Sequence, residues 1–257
     1  MTVLAAENLT VRRGGRAILD GVSARFESGA LIAVIGANGA GKSTLLAAVA
    51  GLLKPDAGTV SLDGEPLAGI AAKMLARRRA FLPQSPRAEW PISVERLVAL
   101  GLTPSLPAFG GLPENLRPRL DRAIADCDLE AHRAQPATTL SGGELGRAML
   151  ARALVGDPEI LIADEPMAGL DPRHGLDSMA RLRGLARGGR MVIASVHDLT
   201  LVARFADRVL ALHQGRVAAE GAVRETLTPG LLRLIFGVEG QVRGEGQAAY
   251  VDFVAPG

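Results

Sequence analysis

The chain has 257 residues, of which 48% are hydrophobic and 22% are charged, enough apolar material for a buried core. Its 29 basic and 27 acidic residues leave a net charge of +2, which is too balanced to argue for nucleic acid from charge alone, and we expect no nucleic-acid partner. No apolar run approaches the ~20 residues of a membrane-spanning helix, and no signal-peptide pattern opens the chain. The single cysteine, Cys127, excludes an internal disulfide and suits a reducing cytosol.

The first elements along the chain predict an antiparallel layer. Alternating apolar residues at 3–12 and 17–27 flank a Gly14-Gly15 turn. Residues 58–63 add a short strand that ends at Asp63-Gly64. We expect these three strands to pair with one another.

Between the second and third of these strands along the chain, residues 31–53 predict a buried strand, a glycine-rich loop and a helix. The loop fits the pattern G-x-x-x-x-G-K-[ST] of a phosphate-binding P-loop. Its residues are Gly36, Ala37, Asn38, Gly39, Ala40, Gly41, Lys42, Ser43 and Thr44. Backbone N–H groups at a helix N-terminus can surround phosphate oxygens, Lys42 can reach the β- and γ-phosphates, and Ser43 can offer its hydroxyl to Mg²⁺. The alternative is a chance glycine-rich turn, which the flanking strand and helix disfavour.

The middle of the chain is predicted to be helical, and the last part alternates between strands and helices. A basic helix at 70–79 and a strand at 80–83 lead to Gln84, followed by helices at 93–101, 119–133 and 144–155 with a loop at 104–118. Buried strands at 159–163 and 191–195 alternate with helices at 174–187 and 199–205, before two strands around Gln214-Gly215, a helix near 229–236 and a strand near 248–254. This alternation predicts an α/β fold with a parallel sheet.

We expect a single domain over 1–257. Its core takes in about 1–84 and 157–221, an inserted helical subdomain covers about 85–156, and a tail follows at 222–257.

The strand at 159–163 ends in two carboxylates, Asp164 and Glu165. We expect this strand to lie beside the P-loop strand, where Asp164 could hold Mg²⁺ through water and Glu165 could polarise an attacking water. The alternative is a strand that simply ends in a charged turn.

A second helix N-terminus, at Ser141, Gly142 and Gly143, is also suited to binding an anion. Because one phosphate site is already present, a second suggests that the γ-phosphate is bound from both sides by two different chains. An ordinary Ser-Gly-Gly cap is the alternative.

Residues Leu140 to Glu144 resemble the LSGGQ signature of ABC-type ATPases. The other motifs of that family follow in order: Gln84 matches the Q-loop, Gly169-Leu170-Asp171 the D-loop, and Val196-His197-Asp198 the H-loop. The resemblance covers nearly the whole chain.

This resemblance implies a P-loop NTPase (RecA-like) core with an antiparallel β subdomain and an inserted helical subdomain, and it implies ATP and Mg²⁺ as cofactors. In such a protein Gln84 contacts Mg²⁺ and couples to the transporter, and His197 senses the γ-phosphate. A head-to-tail dimer would place each ATP between the P-loop of one copy and Ser141 and Gly143 of the other.

The sequence departs from the family at several positions. Arg13 stands where an aromatic residue usually stacks on adenine; its guanidinium could stack instead or could remain solvated. Glu144 replaces glutamine, and Gly146 and Met167 are unusual at their positions. Trp90, just after Gln84, could lie near a transporter interface or in the core of the helical subdomain.

Within the family, the segments 81–84, 94–101, 197–199 and 205–209 are most similar to importers of metal chelates. That likeness implies transmembrane permease subunits, a periplasmic or surface substrate-binding protein, and a peripheral place on the cytoplasmic face of the plasma membrane. The cargo would be ferric siderophore, haem or cobalamin, with the first two favoured. The alternatives are the ATPase subunit of another ABC transporter and a soluble non-transport ATPase of the iron–sulfur assembly type.

Overall fold

The computed structural model describes residues 1–84, 88–107, 111–168 and 170–254. Near the N-terminus, β1 (Val3–Arg13) and β2 (Arg16–Glu27) form an antiparallel hairpin. β4 (Ala57–Leu62) and β5 (Glu65–Pro66) extend it to a four-stranded sheet of order β2-β1-β4-β5. The predicted antiparallel layer is confirmed.

The second sheet has six strands in the order β10-β9-β3-β8-β7-β6. These are β3 (Leu31–Gly36), β6 (Arg79–Leu82), β7 (Ile160–Ala163), β8 (Met191–Ser195), β9 (Arg208–His213) and β10 (Arg216–Ala222). Neighbouring strands are parallel except for β9 and β10. Every residue of β3, β7 and β8 is buried, which explains their continuous apolar runs, since both faces of a parallel sheet are covered.

The expectation that the strand ending in Asp164 lies beside the P-loop strand is wrong. β8 lies between β3 and β7, pairing with both in parallel. All three strands are equally apolar and equally buried, so their composition carries no information about which one neighbours β3.

The six-stranded sheet separates two apolar clusters. Ile32 and Val34 face one cluster, which includes the antiparallel layer and the first helix. Leu31, Ala33 and Ile35 face the other, which extends through the helices from residue 94 onward. The alternation along β3 therefore fixes the P-loop between two packed layers.

Nine α-helices connect the strands in the described part of the chain. They are α1 (Lys42–Val49), α2 (Ala72–Arg78), α3 (Val94–Ala99), α4 (Arg117–Asp126), α5 (Gly142–Leu154), α6 (Pro172–Arg187), α7 (Leu199–Phe205), α8 (Val223–Thr226) and α9 (Pro229–Phe236). α3, α4 and α5 pack against one another, as expected of a helical unit between β6 and β7. The division of the chain into core, subdomain and tail stays a prediction. No described helix is both long and apolar enough to cross a membrane.

Helix α4 ends earlier than its predicted limit of residue 133. Asp128 takes a left-handed φ of 54°, and the backbone N–H groups of Asp128 and Leu129 bond back to Ala125 and Ile124. This is a Schellman termination, which glycine usually marks; an aspartate at the left-handed position gives a weaker sequence signal. The buried thiol of Cys127 sits at this helix end, and burial raises its pKa to about 11.

The tail forms a hairpin of β11 (Glu239–Arg243) and β12 (Tyr250–Val254), of which only the second strand was predicted. It is held on α7 by two hydrogen bonds. The Val251 N–H donates to Thr200 Oγ1 at 3.2 Å, and Arg204 Nε donates to the Ala249 carbonyl at 2.7 Å.

Candidate nucleotide site

The predicted phosphate loop joins β3 to α1. Gly41 has a φ of 100°, and a Cβ there would lie 2.9 Å from the Ile18 carbonyl oxygen, so only glycine fits. Lys42 opens α1 and is 5% exposed; its Nζ donates to the carbonyls of Gly36 at 2.9 Å and Ala37 at 3.2 Å. The lysine ammonium is therefore held inside the loop, in position to face phosphate oxygens.

Burial lowers the pKa of Lys42, and the nearby carboxylates of Glu165 and Asp164 act in the opposite direction. The two acids thus lie within electrostatic reach of the loop, although their strand is not adjacent to β3. The carboxyl ends of β3, β8 and β7 meet at one edge of the sheet, where ligands bind in open parallel sheets.

Ser195, the last residue of β8, connects the two acids. Its hydroxyl donates to Asp164 Oδ1 at 2.7 Å and accepts the Glu165 backbone N–H at 2.7 Å. Asp164 is 5% exposed, whereas Glu165 adopts a left-handed φ of 47°. A positive φ is costly for a non-glycine residue and concentrates at functional sites. The turn gives two consecutive carboxylates different surroundings.

The Glu165 carboxylate is bound on both oxygens. Gln84 Nε2 donates to Oε2 at 2.6 Å, and His197 Nε2 lies 2.5 Å from Oε1. Gln84 follows β6 and His197 follows β8, so the predicted Q-loop and H-loop residues converge on the predicted base.

One cavity of about 590 Å³ collects most of the predicted site residues. Its lining consists of Ile18, Asn38, Gly39, Gly41, Lys42, Ser43, Thr44, Gln84, Glu165 and His197. Lys42 and the loop at one wall, with Glu165 and His197 at another, suit an anionic group between them.

The signature residues lie outside this cavity. Ser141 is the N-cap of α5, where its N–H donates to Glu144 Oε2 at 2.7 Å and its hydroxyl accepts the Glu144 N–H at 3.4 Å. These bonds from Ser141 lower the pKa of Glu144. Gly143 lines a separate cavity between α5 and α6, while Ser141 and Gly142 are exposed.

Asp171 caps α6, accepting the His174 N–H at 3.0 Å, and this bond lowers the pKa of its carboxyl. Gly169, predicted in the same D-loop, lies outside the described residues. Asp198 caps α7 by accepting the N–H groups of Thr200 and Leu201.

Arg13 is exposed at the end of β1 and does not line the cavity. Ile18, in β2, does line it. Adenine stacking by Arg13 stays a prediction. Ile18 and Ser195 are the site residues that sequence reasoning missed. The only signal for Ser195 was a hydroxyl residue closing an otherwise apolar strand, and Ile18 lies in a strand that carries no motif.

The oxygen donors here fit Mg²⁺ that arrives with a nucleotide. Within the described ranges, no cluster of three or more His, Cys, Asp or Glu could hold a metal by itself. Mg²⁺ is commonly bound through one or two protein oxygens together with phosphates and water. Ser43 and Gln84 line the cavity, and Asp164, which is not in the lining, precedes the lining residue Glu165; together these side chains offer that donor set.

In comparison with known proteins, residues 19–168 match the ABC transporter family. Hemin import ATP-binding protein HmuV from Rhodopseudomonas palustris is 43% identical over 243 residues, which covers 91% of this chain and 88% of that relative. HmuV from Bordetella pertussis is 42% identical over 250 residues, covering 93% of this chain and 94% of that relative.

Two solved structures show the fold. The ATP-binding subunit of an ABC transporter aligns with a TM-score of 0.77 at 28% identity, covering 87% of this chain and 91% of that one. A metal-chelate type ABC transporter in an inward-facing conformation aligns with a TM-score of 0.84 at 23% identity, covering 99% and 97%. At 23% identity the similarity to the second structure concerns the fold alone. Together, the two structures confirm the predicted P-loop α/β architecture.

Proposed function

Since the chain belongs to the ABC transporter family as an ATP-binding subunit, we propose that it hydrolyses ATP to drive haem import through a membrane permease. The observation that carries the ATPase chemistry is the single cavity in which Lys42 and the P-loop face Glu165 and His197. The observation that favours haem is the identity of about 40% to hemin import subunits over more than 90% of the chain.

The position of each side chain around the nucleotide cavity indicates its proposed role in binding phosphate or Mg²⁺. The P-loop amides and Lys42 bind the β- and γ-phosphates of ATP, since the buried ammonium would exchange its two carbonyl partners for phosphate oxygens. Ser43, Asp164 and Gln84 would hold Mg²⁺, which neutralises phosphate charge when it is bound. Ser195 fixes Asp164 in place for that role.

Glu165 is the proposed general base. Its carboxylate reaches the cavity because the left-handed turn directs it away from Asp164, and Gln84 and His197 orient both of its oxygens. A carboxylate held in this way can accept a proton from a water positioned next to the γ-phosphate. His197, exposed to the cavity, would contact the γ-phosphate itself.

A second copy completes the proposed site. Ser141 and Gly142 are exposed at the N-terminus of α5, outside the nucleotide cavity, where they and Gly143 could meet the γ-phosphate of a facing subunit. The dimeric structure of an ATP-binding cassette, which aligns with a TM-score of 0.74 at 27% identity, supports this arrangement. We propose a head-to-tail homodimer with two shared ATP sites.

The remaining partners are a transmembrane permease and an extracytoplasmic binding protein, with this subunit peripheral on the cytoplasmic face of the membrane. The proposed permease contact is a groove beside β6. Gln84 follows shortly after the end of β6, and its side chain donates a hydrogen bond to Glu165. A movement of the groove would therefore shift Gln84 and its contact with Glu165 at the ATP site. The exposed Trp90 lies on the same stretch of chain.

The test is transport by the complete complex in proteoliposomes, offered hemin, a ferric siderophore or cobalamin in separate arms. We expect ATP-dependent uptake of hemin by the wild type and none by the Lys42→Ala complex. If the complex takes up only a ferric siderophore or cobalamin, that chelate replaces hemin as the proposed substrate. If the chain forms no stable complex with any permease, the soluble ATPase alternative is favoured.

A further inference from the structure

The side chain of Glu144 links the signature loop, residues 140–144, to the turn that follows α4. Its Oε2 accepts the Ser141 N–H at 2.7 Å, and its Oε1 lies 3.5 Å from Nε2 of His132. His132 ends a short 3₁₀ turn, Glu130–His132, and the side chains of His132 and Glu144 are only 26% and 27% exposed. A half-buried histidine therefore faces the carboxylate that caps the proposed γ-phosphate-binding serine.

Hydrogen bonds determine which ring nitrogen of His132 carries a proton. The Thr139 hydroxyl donates to the Pro136 carbonyl at 2.8 Å, and it therefore accepts from Gln135 Nε2 at 3.0 Å. This orients the amide of Gln135 with its oxygen toward His132, where Oε1 lies 2.9 Å from Nδ1. Because an amide oxygen only accepts, the network assigns a proton to Nδ1.

The contact between His132 and Glu144 consequently depends on a second proton. With the first proton on Nδ1, a neutral ring turns the lone pair of Nε2 toward a carboxylate oxygen, which is repulsive. An imidazolium instead presents an N–H to that oxygen and forms a charge-assisted contact. The separation of 3.5 Å is longer than an ordinary hydrogen bond, and protonation of Nε2 would shorten it.

Arg133, the next residue, anchors the turn that carries His132. Its guanidinium donates to Glu95 Oε1 of α3 at 2.7 Å and to Asp121 Oδ1 of α4 at 2.6 Å. Further along the chain, Ala137 is buried and its N–H bonds to the carbonyl of residue 92. The histidine is thus fixed in place opposite the signature loop.

The other charged groups near His132 do not titrate with it. They are Glu130 and Arg133 in the same turn, and Glu144 and Arg147 on α5. Glutamates and arginines keep their charge between about pH 5.5 and about pH 8, whereas histidine changes its charge in that range. A pH dependence that arises here in that range is therefore the titration of His132.

The charge of Glu144 opposes the proposed role of the signature loop. Free N–H groups and the helix dipole attract anions to a helix N-terminus. Glu144 already occupies the Ser141 N–H, and the hydrogen bonds from Ser141 lower the pKa of Glu144, which keeps it ionised. The γ-phosphate of a facing subunit would meet this negative charge, and a cation at His132 would offset it.

We propose that protonated His132, oriented by Gln135, is a positioning residue for the signature loop: it neutralises Glu144 and holds Ser141 ready for the γ-phosphate of the facing subunit. This inference rests on the proposed shared ATP site. Closure of the dimer then takes up protons, so the ATP-bound dimer dissociates more readily as the pH rises.

The experiment measures the dimer dissociation constant of Glu165→Gln with saturating ATP and Mg²⁺ by analytical ultracentrifugation. This background is chosen because the bound ATP should stay intact. Between about pH 5.5 and about pH 8, we expect the constant to rise on the order of tenfold more than in the same chain carrying His132→Gln. Titration of ATP and of His197 affects both chains alike, so the difference in slope reports His132.

A second variant and a control separate this role from a merely structural one. Glu144→Gln still accepts the Ser141 N–H but removes the charge that requires His132. We expect it to flatten the pH dependence as His132→Gln does, and the two changes together should flatten it no further. His213→Gln, at the end of β9, is the matched control and should keep the full pH dependence.

Equal pH slopes in the Glu165→Gln chain and in its His132→Gln and Glu144→Gln derivatives would overturn the inference and leave the shared site intact. So would a weakening by His132→Gln that is the same at every pH, because that is a general effect on folding. Absence of an ATP-driven dimer at every pH would refute the shared site itself, and this inference with it.

Discussion

The hydroxyl of Ser195 lies 2.7 Å from Asp164 Oδ1, and the same oxygen accepts the backbone N–H of Glu165 at 2.7 Å. One side chain at the end of β8 thus sets the positions of the two acids at the end of β7. This explains how Glu165 reaches the nucleotide cavity although β7 is one strand removed from the P-loop strand. β8 acts as the structural bridge between the phosphate loop and the proposed base.

Ser195→Ala tests this bridge. Because Ser195 is fully buried, the change leaves Asp164 and the Glu165 N–H without their partner, and we expect a loss of about 1–3 kcal/mol in unfolding free energy. ATP turnover should also fall severalfold as Glu165 loses its orientation. Urea denaturation and a steady-state ATPase assay measure the two effects. The control is Ser61→Ala, whose hydroxyl makes no hydrogen bond in the described structure; equal stability and turnover in both variants would refute the bridge.

Glu165→Gln tests the proposed base. The amide keeps the size of the side chain and can still accept from Gln84, but it cannot take up a proton. We expect turnover to fall about 10²–10⁴-fold, the usual range for a general base. ATP affinity, measured by equilibrium binding, should persist because Lys42 and the loop are unchanged. Glu114→Gln, at an exposed acid outside the cavity, is the matched control. Near-wild-type turnover in Glu165→Gln would remove Glu165 from this role.

Arg78→Met tests an ion-pair network between the two sheets. Arg78 bonds to Asp63, which follows β4, and to Glu159, which precedes β7. The hydrogen bond from Arg78 lowers the pKa of Glu159. At Asp63 burial raises the pKa, but the hydrogen bonds from Arg78 and the Val3 N–H outweigh it, so the pKa of Asp63 is also lowered. We expect a loss of about 1 kcal/mol at neutral pH, since all three groups are partly exposed and water screens them.

The pH dependence gives the sharper readout. Carboxyls whose folded-state pKa is depressed stabilise the fold above their unfolded pKa, and that stability is lost as the pH falls. Wild-type stability should therefore drop more steeply than that of Arg78→Met between about pH 6 and about pH 3. Parallel stability curves for the two proteins would mean that the network contributes nothing.

The sequence predicts the P-loop, the buried strands and the identity of the converging residues, because glycine spacing and apolar runs have direct backbone consequences. The order of β3, β8 and β7 could not be predicted, since three equally apolar strands fit any neighbouring position in a parallel sheet. The end of α4 was misplaced because Asp128 takes a conformation that glycine usually marks.

Trp90 shows a different limit of sequence reasoning. Burial in the subdomain core was a reasonable alternative for a lone tryptophan, yet the side chain is 71% exposed. Residue type alone does not determine whether a large apolar side chain faces a core or a partner surface. Its contact with a permease stays a prediction.

The central claim is that each ATP site is shared between two copies, with the P-loop from one and Ser141 from the other. The most direct measurement is the molar mass of Glu165→Gln in solution with saturating ATP and Mg²⁺, compared with Glu165→Gln/Ser141→Arg. We predict that the single variant doubles its mass on adding ATP, whereas the double variant still binds one ATP per chain and remains a monomer. Equal ATP-driven dimerisation of both variants, or saturation of the single variant as a monomer, would contradict the shared site.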